Sequence, residues 1–219
     1  MRAFLSLALA LAIAVCAAGV RGQEAPTVAS PLDADEAALL GLIHAAIRTR
    51  PALEGPVRWS VGASQQEQAS HGRVSLDASA LLLRAENGAE LFAAADSVMV
   101  FDPVPTPGSL LRRTIRTPIA DYAALVRDET TLSALFIPRI LRRVSGAADL
   151  ELLPRAPWWM VERIVVRVNT ASHPGQLERA LTMDGLGGHF RINLSELSAT
   201  RRPMPLSAPP HPGARTLEF

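Results

Sequence analysis

The stretch that decides the fold runs from Val161 to Leu197. It reads VERIVVRVN at 161–169, QLERALTMD at 176–184 and HFRINLSEL at 189–197. Each piece places apolar side chains at alternate positions. Side chains on a strand point alternately to its two faces, so this pattern predicts three successive half-buried strands. The separators, ASHPG at 171–175 and GLGG at 185–188, are turn chemistry. The predicted inner row is Ile164, Val166 and Val168, then Leu177, Leu181 and Met183, then Phe190, Ile192 and Leu194. Arg179 interrupts that row, so it either sits at a rim or marks a break in the register.

Working outward, the same alternation recurs upstream. Val57, Trp59 and Val61 alternate with Arg58, Ser60 and Gly62, and Val74 and Leu76 with Arg73, Ser75 and Asp77. The segment 65–70 between them is polar and reads as a turn. Ala80–Ala85, Glu90–Ala93 and Val98–Phe101 read as further strands, with Glu86-Asn87-Gly88 as a turn. Val98-Met99-Val100-Phe101 is apolar on both faces, so cover is expected on both. Leu110–Ile115 and Leu150–Leu153 are also strand-like, and Thr216–Phe219 can pair as a last edge strand.

Helices bracket and interrupt this sheet. Asp33 with Glu36 resembles a capping box, and Leu39, Leu40, Ile43 and Ile47 follow at helical spacing up to Arg50-Pro51. A central insert carries Tyr122, Leu125 and Val126, then Leu132, Leu135 and Phe136. Pro138 breaks that run. A third short helix is expected to carry Ile140, Leu141 and Val144 and to end at Gly146.

The N-terminus has the form of a cleaved secretory signal. Met1-Arg2 is basic, residues 4–18 are almost wholly apolar, and small residues follow up to Gly22. The apolar run is shorter than the roughly 20 residues of a membrane span. Cys16 follows Val15, which is too bulky for a lipoprotein cleavage site, so lipidation there is not expected. The resulting organisation is a signal over 1–22, a linker over 23–31 and one domain over 32–219.

Export removes Arg2 and Arg21, leaving 20 basic against 21 acidic residues out of 22 and 21. A near-neutral chain has no electrostatic basis for binding nucleic acid. All 22 basic residues are arginine. Cys16 is the one cysteine, so the exported chain has neither disulfides nor thiol chemistry and must rely on a packed core.

No catalytic signature stands out. Gly-x-Ser-x-Gly, His-Glu-x-x-His and the phosphate-loop pattern are missing. His44, His71, His173, His189 and His211 are dispersed without metal-ligand spacing. The glycines after Asp184 lie between two strands, where a hairpin explains them better than a phosphate cradle. Asn193-Leu194-Ser195 matches a glycosylation sequon by chance of composition. The expectation is a non-enzyme without metal or cofactor.

A leading helix, a run of strands, a helical insert and a closing meander resemble the periplasmic lipoprotein-carrier superfamily typified by LolA and LolB. Residues 86–91 (ENGAEL) resemble the family's turn and short strand, and residues 100–103 (VFDP) the aromatic-Asp-Pro that follows. The region 120–141 is similar to the helical lid, and 177–184, 190–194, 203–206 and 212–214 to the family's ending. The resemblance implies an α+β fold: a curved, incompletely closed antiparallel sheet, or half-barrel, with the N-terminal helix and central insert covering its concave face. It further implies an apolar cavity for acyl chains. The residues expected to line it are Trp59, Val61, Val74, Leu76, Phe136, Ile140, Trp159, Ile164, Val166, Leu181, Phe190 and Ile192. Alternation allows only one of Trp158 and Trp159 to face inward. The family's functional arginine matches no position here.

The expected role is a monomeric periplasmic carrier or sensor for an acylated ligand, lipoprotein or lipid. The alternative is an interaction module that docks an inner- or outer-membrane envelope protein on the same fold. A small outer-membrane barrel is a third reading. One tyrosine and a central helical insert argue against its aromatic girdles.

Overall fold

Asp33 caps helix α1, Ala34–Thr49, where its carboxylate accepts the Asp35 N–H at 2.8 Å. The computed structural model describes residues 33–63, 66–103, 108–114, 117, 119–155, 161–184, 188–199 and 205–218. The expected signal and linker, and Trp158 and Trp159, lie outside them. Asp35 and Glu36 place negative charge at the positive end of the helix dipole, and Arg48 answers at the other end. Glu36 does not close a capping box. Its Oε1 accepts the Ile140 N–H instead, at 3.2 Å, tying the helix to the sheet edge. Leu39, Leu40 and Ile43 form the buried stripe of α1.

The sheet follows in two meanders. The first comprises β1 (Leu53–Ala63), β2 (Gln66–Leu76), β3 (Ala80–Ala85), β4 (Glu90–Ala94), β5 (Ser97–Phe101) and β6 (Ser109–Thr114). Helices α2 (Ile119–Val126) and α3 (Leu132–Leu135) interrupt. The second comprises β7 (Phe136–Val144), β8 (Ala147–Pro154), β9 (Val161–Asn169), β10 (Leu177–Asp184) and β11 (Gly188–Asn193), with β12 (Ser198–Ala199) and β13 (Arg215–Glu218) after it. Strand β1 pairs with β11, with Trp59 opposite Ile192, and fuses both meanders into one 13-stranded sheet. Its two ends are β13, parallel to β6, and β7. They do not pair with each other, so the sheet is open: the expected α+β half-barrel.

Alternation places the core. Strand β9 buries Ile164, Val166 and Val168 at 1 % exposure or less, and the helices close over this face. At about 25 cal/mol per Å² of apolar area removed from water, such rows outweigh strand propensity in fixing which face turns inward. A smaller cluster of Ala80, Leu82 and Phe92 lies apart from this core, and Met99 and Leu206 pack against it. Leu206 belongs to the extended C-terminal tail, which supplies the second cover expected for the doubly apolar β5.

Three further expectations need correction. The third helix is strand β7. Phe136, Pro138 and Ile140 are paired with Pro154, Leu152 and Leu150, and they alternate inward with period two. A bulge between Ile140 and Arg142 then shifts the phase, which produces the helix-like spacing of Ile140, Leu141 and Val144. Pro138 lacks an N–H, and an edge strand tolerates that loss. The polar turn at 65–70 is mostly strand, because the β1–β2 ladder extends to Ala63 opposite Gln66. Leu181 does not face the core. A bulge between Leu177 and Arg179 inserts one extra residue, so Leu177 and Ala180 both point inward while Arg179 and Leu181 point out.

Candidate functional site

The cross-strand ladder assembles most of the expected lining. One row runs Trp59, Ile192, Ala180, Val166, Leu150, Ile140 across six strands. The next places Val61 opposite Phe190 and Ile164 opposite Leu152. Trp59, Val74, Leu76, Phe136, Ile164, Val166 and Ile192 all belong to one buried cluster, and Ile140 packs against it. Trp159 lies outside the described residues. These side chains form close-packed core: Val74, Leu76, Ile164, Val166 and Ile192 are at most 1 % exposed.

Open space occurs instead at the end of the inner row, under the last turns of α1. A pocket of about 70 Å³ is lined there by Ile43, Ala46 and Ile47 of α1, by Arg50 at its C-cap and by Leu53 of β1. Tyr122 of α2, Leu177 of β10, and Leu194, Leu197 and Ala199 complete it with Gly175 and Gln176. Among the described residues, none of the lining expected from the sequence borders it, although Leu177 and Leu194 close the inner row. Helical spacing of Ile43, Ile47 and Arg50, and the leucines three apart at 194 and 197, are the sequence signals that point here.

Local geometry explains the pocket's shape. Gly175 has φ +81°, and a Cβ there would lie 1.9 Å from the Leu42 carbonyl oxygen. Only glycine lets the β9–β10 turn approach the helix backbone this closely. Asn169 Oδ1 accepts the Ala171 and His173 N–H groups, both at 3.0 Å, and folds the same turn. Arg50 at the rim donates from Nη1 to Gln176 Oε1 at 3.2 Å. Tyr122, fully buried, donates its hydroxyl to the Pro51 carbonyl at 2.8 Å. The wall is thus aliphatic, with one guanidinium at its mouth. An engineered dry cavity that admits benzene measures about 150 Å³, so this pocket is about half that size.

On the opposite face of the sheet lies a polar site. Asp149, 7 % exposed, sits between Arg142 and Arg167. Arg167 donates from Nε at 2.7 Å and Nη2 at 2.8 Å; Arg142 donates from Nη2 at 2.8 Å. Arg179 Nη2 stands 3.7 Å away. The Arg167 guanidinium, ahead of Arg142, holds the Asp149 carboxyl down at about 2 against the opposing effect of desolvation. Among the described residues no cluster of His, Cys, Asp and Glu could hold a metal, and no helix is long and apolar enough to cross a membrane.

No family model matches the chain, and no curated protein matches it. Solved structures do. An uncharacterized conserved protein from Thermus thermophilus aligns at a TM-score of 0.50 with 11% identity, covering 84% of this chain and 99% of that one. A LolA superfamily protein from Nitrosomonas europaea aligns at 0.41 with 14% identity, covering 77% and 94%. MucB in its complex with MucA from Pseudomonas aeruginosa aligns at 0.40 with 14% identity, covering 78% and 59%. The likeness is one of fold: an open antiparallel sheet with a few helices.

Proposed function

We propose that the protein is a periplasmic carrier or sensor that binds an acylated ligand, lipid or lipoprotein, beneath α1. The observation that carries this reading is the aliphatic pocket between α1 and the sheet, with Arg50 at its mouth. Each methylene moved from water into such a site contributes about 0.8 kcal/mol, so a long chain rewards the opening of a cleft. Polar ties hold α1 to the rest of the fold: Arg143 to Asp35 at 2.6 Å, Arg48 to Asp128 at 3.0 Å, and Glu36 to β7. Exposed ion pairs of this kind are worth about 1 kcal/mol or less each, which suits a helix that moves.

The test is binding of a fluorescent long-chain fatty acid, with mass spectrometry of what co-purifies from the periplasm. Wild type is expected to bind saturably, and Ile47→Trp, which fills the pocket, to weaken binding about tenfold. A protein that emerges empty and never binds the probe sinks the reading. One observation favours a second reading, an envelope interaction module. The pocket as it stands is far smaller than an acyl chain. Capture of one stoichiometric partner, unchanged by delipidation, supports that alternative.

A further inference from the structure

The outer face of the second meander carries a row of charge that the apolar pocket does not use. Cross-strand pairing aligns His71, Arg58, Asn193, Arg179, Arg167, Asp149 and Arg142 on consecutive strands from β2 to β7. The register that buries Ala180 and Val166 forces these neighbours outward together. Arg179 lies directly opposite Arg167, a like-charge pairing that is unfavourable by itself. Asp149 offsets it, but one carboxylate serves three guanidiniums, each with five N–H donors. Arg58, exposed, makes no ion pair among the described residues.

The first five members of this row, His71 to Arg167, line an open groove of about 640 Å³. Among the described residues, Arg58, Arg167, Arg179 and Arg191 line it with one acidic residue, Glu178, while Asp149 beside them pairs with Arg167. Glu178 is the extra residue of the β10 bulge, and its Oε1 is engaged by Asn169 Nδ2 at 3.0 Å. The groove is therefore cationic, although the chain as a whole is near neutral. A like-signed concavity concentrates field and selects the opposite charge.

We propose that this groove binds an extended acidic peptide segment of a partner protein, crossing the strands along the arginine row. The spacing fits. Strands stand about 4.8 Å apart, so Arg58 and Arg167, three strands apart, are separated by about 14 Å. An extended peptide advances about 6.8 Å per two residues, so acidic side chains at positions i, i+2 and i+4 span the same length. Guanidiniums grip carboxylates through paired N–H donors, which gives such a row directional affinity. The groove is concave, and among the described residues the exposed large hydrophobics, Leu141 and Val144, lie on β7 outside its lining. A trough without apolar prongs accepts a chain segment in preference to a membrane surface. The site is independent of the acyl pocket on the other face.

Fluorescence anisotropy of the purified protein with a labelled peptide of alternating glutamate and serine tests the proposal. Saturable binding is expected, weakening as salt rises from about 50 to about 300 mM, where screening shortens to a few ångströms. Arg58→Glu and, separately, Arg191→Glu are expected to weaken binding about tenfold. Circular dichroism melting of Arg58→Glu should match wild type, because that side chain holds no ion pair among the described residues. The matching glutamine-serine peptide should not bind. Equal binding of both peptides, or affinity unmoved in both variants, overturns the proposal. So does arginine-dependent binding to phosphatidylglycerol vesicles without binding of the peptide.

Discussion

Tyr122 on α2 donates its hydroxyl proton to the backbone carbonyl of Pro51, 2.8 Å away, and so fastens the helical insert to the turn between α1 and β1. The tyrosine is fully buried and lines the pocket beneath α1. Tyr122→Phe keeps the ring and removes the donor, leaving the Pro51 carbonyl without this partner. The expected loss is about 1–2 kcal/mol, read as a melting temperature lower by about 2–6 °C. A melt unchanged within a degree contradicts the role given to this bond.

Gly175 makes the sharpest steric prediction. An alanine there meets the Leu42 carbonyl oxygen at 1.9 Å and must also hold φ +81°. Relief requires α1 and the β9–β10 turn to separate, so Gly175→Ala should cost about 2–4 kcal/mol. Gly146 is the matched control. Its φ is +74°, but an added Cβ would lie 3.5 Å from Ala171 Cβ, an ordinary contact. Gly146→Ala should therefore cost only the backbone term, about 1 kcal/mol. Urea titration of the two variants separates the effects, and equal midpoints would show that the helix does not rest on Gly175.

Asp149 links stability to acid. Its folded pKa of about 2 lies below the ordinary aspartate value of 3.8. A depressed carboxylate stabilises the fold at pH above its unfolded value, and that contribution fades as pH falls from about 4 through 2. The difference amounts to about 2 kcal/mol. Asp149→Asn should remove it at neutral pH, leave Arg142, Arg167 and Arg179 facing one another, and flatten stability between pH 4 and 2. Melting temperatures across that window test the sign. A variant with the wild-type acid slope assigns the acid sensitivity elsewhere.

What is legible in the sequence follows from where period and sign are uniform. Strand β11, and β9 from Arg163 onward, keep a simple alternation, so Ile164, Val166 and Ile192 fall on the inner face as read. Strand β10 defeats a simple alternation because its bulge adds Glu178. Arg179 reads as a charge in the apolar row, yet it lies on the outer face, and Ala180 takes the inward position assigned to Leu181. Strand β7 is hidden twice, by Pro138 and by the bulge after Ile140. The pocket under α1 draws on five elements and on loop residues such as Gly175 and Gln176, which follow no period. The arginine row is invisible for a related reason. Arg58, Arg179 and Arg167 are far apart along the chain, and only the register makes them neighbours.

The C-terminal tail offers the last test. The Leu206 N–H donates to Asp77 Oδ2 at 2.9 Å, and its side chain packs against the cluster of Ala80, Leu82 and Phe92. Five residues on, the His211 ring stacks on Phe101 with centroids 4.1 Å apart and planes 18° apart. Its Nε2 stands 3.3 Å from Glu90 Oε2, a buried oxygen that accepts no hydrogen bond from the described residues. The tail then turns at Gly213 into β13, parallel to β6. Two anchors on one extended strap should act cooperatively, since losing either leaves the other to hold a longer free segment. His211→Ala alone should therefore loosen the strap modestly, by about 1 kcal/mol. Joined with Leu206→Ser, it should release the tail and expose Phe92 and Met99 to solvent. Limited proteolysis is expected to cut between 205 and 214 in the double variant well before either single one, with hydrogen exchange rising in β4 and β5. Cleavage at equal rates in all three proteins would show that the strap is held from β13 alone.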